Sequence, residues 1–120
     1  MKLSQDLRNR TKSFASSIIQ LYVVLSKTRE EVKILGRQML RSGTSVAAHA
    51  REASRARSDA ELCSKLGGLL QEADETQLWL ELLRDDCRIN HKLIAVLIDE
   101  ADELIAIFTT IISKVRKHNS

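Results

Sequence analysis

The sequence predicts an all-α protein, an up-down-up-down bundle of four helices. Three observations lead there. Turn-forming residues are scarce, with no proline and four glycines in 120 residues, which favours a few long helices. Apolar residues recur at three- and four-residue spacing in four separate stretches, and no stretch alternates with period two. Short polar links carrying capping residues separate the stretches.

The first helix spans about residues 4–25. Leu3, Leu7, Phe14, Ile18, Leu21 and Leu25 fall within about 60° on a helical wheel and form a core seam. Ile19 and Val23 lie outside that seam and make a second apolar side, which points to a second packing partner. The opening turns, with Arg8, Arg10 and Lys12, are polar and prone to fray.

Thr28-Arg29-Glu30-Glu31 matches a capping box, so the second helix spans about residues 29–55. Its stretch KILGRQMLRSGTSVAAHAREASRAR carries two opposed faces. Leu35, Met39, Gly43, Val46, Ala50 and Ala53 form the inward seam. Gly43 and Thr44 weaken the helix locally, but the seam keeps its phase across them, so the helix reads as continuous; a kink there is the alternative. On the outward side Lys33, Arg37, Arg41, Arg51 and Arg55 share an arc of about 80° along about 33 Å of axis.

Ser58-Asp59-Ala60-Glu61 is a second capping box and opens a third helix over about residues 59–84. Leu62, Leu66, Leu69, Leu70, Ala73, Leu80 and Leu83 form its core arc. Beside it lies a narrower arc of Glu61, Gly68, Glu72, Glu75 and Trp79. Asn90 is the candidate N-cap of a fourth helix over about residues 91–117. Leu93, Ile94, Leu97, Ala101, Leu104, Ile105, Phe108, Ile111, Ile112 and Val115 fill its wide apolar arc. Lys114, Arg116, Lys117 and His118 close it, which suits the negative end of a helix dipole. The chain, residues 1–120, reads as one domain.

The net charge of +3 hides an asymmetry. Residues 1–57 hold 12 Lys/Arg and 4 Asp/Glu, net +8, and residues 58–120 hold 7 Lys/Arg and 12 Asp/Glu, net −5. Such a split suits either a polyanion-binding half or halves that complement each other between subunits. Cys63 and Cys87 are far apart and outside any CxxC context, as in a reduced cytoplasmic protein. The first residues lack a signal-peptide pattern, and no run reaches the roughly 18 apolar residues of a membrane span.

The basic ridge Lys33, Arg37, Arg41, Arg51 and Arg55 fits a nucleic-acid backbone footprint, or else a solvated or ion-paired face. No aromatic residue interleaves with it, so base stacking is not supported and any contact runs to phosphates. Ile19, Val23, Gly68, Glu72, Glu75 and Trp79 are candidates for an oligomer interface; the alternative is that Trp79 covers the end of the monomer core. His49 and Glu52 stand at i, i+3, but two ligands are too few for a metal, and no Glu-x-x-His pattern repeats on the other helices. No phosphate loop or nucleophile elbow is present, so neither catalytic residues, nor a cofactor, nor a small-molecule substrate is expected.

The run QMLRSGTSVAAHAREASRARSDAELCSKLGGLLQEADETQLWLELL resembles the four-helix-bundle proteins first noticed in intervening sequences of bacterial 23S rRNA genes. The pieces that carry the resemblance are Arg41-Ser42, Ser45, Arg51-Glu52, Arg55, Ser58, Glu72, Glu75 and Trp79-Leu80. The chain departs from the family pattern at His49, where Asn is frequent, and at Leu62, where Phe is. The resemblance implies a ring-like homopentamer. It also implies kinship with the accessory variability determinant proteins of diversity-generating retroelements, more basic pentamers that bind a reverse transcriptase and nucleic acid. It brings no catalytic residues. The functional expectation is a homo-oligomeric bundle that binds RNA or a ribonucleoprotein partner through the second helix. The alternative is a protein-interaction module whose basic and acidic faces pair between subunits.

Overall fold

The computed structural model describes residues 2–119. Four helices follow one another: α1 (Gln5–Val24), α2 (Glu30–Ser54), α3 (Asp59–Asp85) and α4 (Lys92–His118), with no strand among the described residues. α1 packs on α2 and α4, and α3 packs on α2 and α4, while the diagonal pairs do not meet. Short links make each neighbour antiparallel to the last, and the result is a square rod of 51 × 20 × 20 Å.

The inward seams supply one continuous core. Ile18 and Leu21 of α1, Val32, Met39 and Val46 of α2, Leu66, Leu69 and Leu80 of α3, and Leu104 and Phe108 of α4 are fully buried. Side chains such as these stabilise the fold by about 1.5–3 kcal/mol each. Six residues of the expected seams, Leu7, Leu35, Leu70, Leu93, Ile105 and Ile111, are only partly buried and lie against the core rather than in it. Gly36, Ser42 and Thr76 are buried without having been expected in the seams.

α2 runs unbroken through Gly43. The glycine is there because α1 comes close: a Cβ at position 43 would lie 2.8 Å from Ile18 Cγ1. The phase of the seam was therefore the right guide, and Gly43 marks a close approach between helices rather than a kink.

Two caps differ from expectation. Thr28 does not cap α2, whose N-cap is Arg29 with no side-chain bond. Ser26 Oγ instead accepts from the amides of Thr28 and Arg29 and bonds the Thr28 hydroxyl, which takes Thr28 out of the capping role. Glu31 turns to Arg29 Nε at 2.8 Å. At α4, His91 rather than Asn90 is the N-cap, its Nδ1 accepting from Leu93 N at 3.1 Å. Ser4 and Ser58 cap α1 and α3 through their hydroxyls, and the Glu61 carboxylate pairs with Arg57. Between α3 and α4 the chain turns through Arg88, at φ 56° in the left-handed region.

Candidate functional site

The helical path fixes which way the cations of α2 point. With Met39, Gly43 and Val46 turned to the core, residues 33, 37, 41 and 51 face outward on the 3.6-residue repeat. Arg55 stands just past the last turn as the C-cap, with φ −110° and ψ 13°. The five cations therefore share the outer face of one helix, but they are not electrically equivalent.

Lys33 pairs with Glu30 one turn back, at 3.6 Å. Arg41 leans toward α3 and reaches Glu72 at 3.4 Å and Glu75 at 4.0 Å. Among the described residues Arg37, Arg51 and Arg55 have no carboxylate partner. The ridge is thus partly neutralised from within the same chain at Lys33 and Arg41, and stays open at the other three positions.

The α2–α3 seam explains the pairing at Arg41. Ser42, the next residue, meets Thr76 of α3 across a 2.7 Å hydroxyl contact. Farther along, Glu52 pairs with Lys65 at 2.9 Å, and this neighbour holds the Glu52 carboxyl below its usual range. Between these links the His49 ring sits over Gly68, where a Cβ would lie 2.9 Å from the imidazole. Of the residues expected at an oligomer interface, Gly68, Glu72 and Glu75 thus make contacts between helices of one chain. Trp79 lies half-buried against the core, and its indole Nε1 is shielded without an acceptor. Ile19 and Val23 are on the surface, 46% and 59% exposed.

Two cations that the sequence argument set aside as a fraying end belong to the same region. Arg8 and Lys12, one turn apart on α1, line a groove of about 550 Å³ opposite Arg51 and Arg55 of α2. Their i, i+4 spacing was visible in the sequence, but their position opposite α2 depends on how the helices pack. Arg10, between them in sequence, points the other way. It grips Glu100 of α4 with two bonds, at 2.7 and 2.8 Å, and reaches Glu103 at 3.0 Å.

Among the described residues no group of three or more His, Cys, Asp or Glu side chains is placed to hold a metal. Both cysteines are free thiols, and burial pushes the Cys87 thiol above its usual range. No described helix is long and apolar enough to cross a membrane. What the arrangement offers is open positive charge at Arg37, Arg51 and Arg55.

Known proteins give the fold and the site a context. No curated protein matches the chain. A crystal structure of a protein of unknown function from Bacteroides thetaiotaomicron, assigned to an S23 ribosomal protein family, superposes with a TM-score of 0.80 at 34% sequence identity. The match covers 89% of this chain and 95% of that one. Residues 4–110 match the family described as 23S rRNA-intervening sequence protein, a span that takes in α1, α2, α3 and most of α4. The chain belongs to the 23S rRNA-intervening sequence protein family.

Proposed function

We propose that the protein is a non-enzymatic bundle that binds the backbone of RNA, alone or in a ribonucleoprotein, through the outer face of α2. The observation that carries this reading is the open state of Arg37, Arg51 and Arg55, three guanidinium groups on one face with no carboxylate partner among the described residues. Guanidinium forks match phosphate oxygens in pairs, and each neutralised phosphate releases counterion. A partner built on ribosomal RNA is in keeping with the S23 ribosomal name of the solved relative. Binding to a structured RNA over a salt series tests the reading. Wild type gives a steep fall of log K with log salt, and Arg37→Glu/Arg51→Glu gives a slope shallower by about 1.5, at roughly 0.7–0.9 per phosphate contact. Equal slopes, or no binding at low salt, overturn it.

A second reading is favoured by a separate observation. Ile19, Val23 and Val24 cluster near the end of α1 and are 46%, 59% and 60% exposed. Apolar surface left open in this way suits assembly into a homo-oligomer, with the homopentamer as the stated expectation. Sedimentation of the native protein and of Ile19→Asp/Val23→Asp tests it: the variant falls to monomer mass if α1 carries the interface. A wild-type monomer rules the assembly out.

A further inference from the structure

We infer that the groove between the first half of α1 and the last half of α2 is a seat for a phosphate group, built from Arg8, Lys12, Arg51 and Arg55. Four cations line it, Arg8 and Lys12 from α1, Arg51 from α2 and Arg55 from the α2 C-cap. None of the four has a carboxylate partner among the described residues. The one acid on its wall, Glu52, is drawn off by Lys65 at 2.9 Å. The cations are thus left facing one another, an unfavourable arrangement that a bound anion relieves.

The groove is also shaped and ordered. Its α2 wall carries Ala47 and Ala48, whose short side chains leave the space open. On α1, Gln5 holds the neighbours in place: its amide donates to Asn9 Oδ1 at 2.9 Å, and its carbonyl accepts from Arg8 Nη2. Arg8 Nε, by contrast, is shielded from solvent and has no acceptor. A buried donor left unpaired is destabilising, so a turn of the Arg8 side chain toward an acceptor in the groove answers a need the chain itself leaves unmet. Three guanidinium groups and an ammonium suit a tetrahedral oxyanion better than a planar carboxylate, because donors converge from both walls.

The seat stands on its own geometry and rests on the RNA reading only for the source of the phosphate. Inorganic pyrophosphate is the probe for the group itself, and a short single-stranded RNA is the probe for the polymer. Amide shifts of the full chain are followed by NMR at low salt. Pyrophosphate is expected to move amides at residues 5–12 and 47–55 with saturation. Arg8→Gln/Arg51→Gln is expected to weaken that binding at least tenfold. Ala48→Glu, which leaves every cation in place and adds a charge at the groove, is expected to do the same. Thermal melts of the variants check that the bundle is intact.

If RNA moves the same amides and loses affinity in the same variants, the phosphate belongs to a nucleic-acid backbone. If pyrophosphate saturates these amides and RNA leaves them still, the seat holds a small phosphate ligand and only the RNA reading falls. The inference is overturned if pyrophosphate moves amides diffusely without saturation, or if both variants bind it as wild type does. RNA binding that survives both variants while pyrophosphate binding is lost places the polymer on the outer face at Arg37 and leaves the seat to a small phosphate ligand.

Discussion

Thr76 Oγ1 of α3 lies 2.7 Å from Ser42 Oγ of α2, and both residues are fully buried. It is also 2.7 Å from the Glu72 carbonyl oxygen, so Thr76 ties the α3 backbone to the Ser42 hydroxyl of α2. This polar contact sits within an otherwise apolar seam and fixes the register of α2 against α3 at the level where Arg41 meets Glu72. Thr76→Val is expected to destabilise by about 1 kcal/mol, the net value of a typical buried hydrogen bond. In a double-mutant cycle with Ser42→Ala by urea denaturation, a coupling of about 0.5–1 kcal/mol is expected. Strictly additive losses would show that the two hydroxyls act separately.

Two glycines should respond to alanine with opposite signs. Gly43→Ala forces a Cβ to 2.8 Å from Ile18, and the overpacking outweighs the gain of about 1 kcal/mol in helix propensity. A net loss of about 1–2 kcal/mol is expected. Gly67, inside α3, meets nothing within 4 Å of the same hypothetical atom, so Gly67→Ala is expected to gain about 0.5–1 kcal/mol. Thermal melts of the two variants decide it.

The contact between α1 and α4 depends on acid. Arg10 bonds Glu100 and holds that carboxyl below its ordinary range. A depressed carboxyl contributes stability that is present above the unfolded value, near 4.3, and is lost as pH falls through the folded value. Both side chains keep some exposure, at 35% and 23%, so the contribution is about 0.5–1 kcal/mol. Arg10→Gln is expected to be less stable than wild type by that amount at pH 7, with the gap closing below pH 4. Urea denaturation across this range measures it.

Arg88 occupies a left-handed backbone position after α3, at φ 56°. A non-glycine residue pays about 1 kcal/mol there, and its side chain is exposed. Arg88→Gly is expected to raise stability by about 0.5–1 kcal/mol, net of the extra freedom glycine gives the unfolded chain. A lower melting temperature for the variant would mean that the side chain contributes more than the backbone strain costs.

Core-facing periodicity was legible because burial repeats with the helix turn. The seams of Met39, Val46, Leu66 and Phe108 follow directly from it. Ser42 and Thr76 escaped it because a polar pair satisfies itself only once two helices are in register. The same reason separates Arg41 from Arg37: nothing in the spacing of α2 shows that Glu72 lies opposite one and not the other. Arg8 and Lys12 joined the site for a similar reason, since their relation to Arg51 is set by the antiparallel packing of α1 on α2. At the helix starts, Ser26 holds the turn before α2 so that Arg29 and not Thr28 is its N-cap, and His91 replaces Asn90 at α4, through local hydroxyl and imidazole geometry that a motif does not encode.

The antiparallel order that sets α1 beside α2 and α3 beside α4 has an electrical consequence. The +8 and −5 segments become opposite long sides of a rod only 20 Å across. Such a body carries a transverse dipole and experiences a torque near any extended array of like charges. It would roll about its long axis before touching, so that most encounters with a negatively charged polymer begin with α1 and α2 in front. Added salt would remove that alignment as it shortens the screening distance.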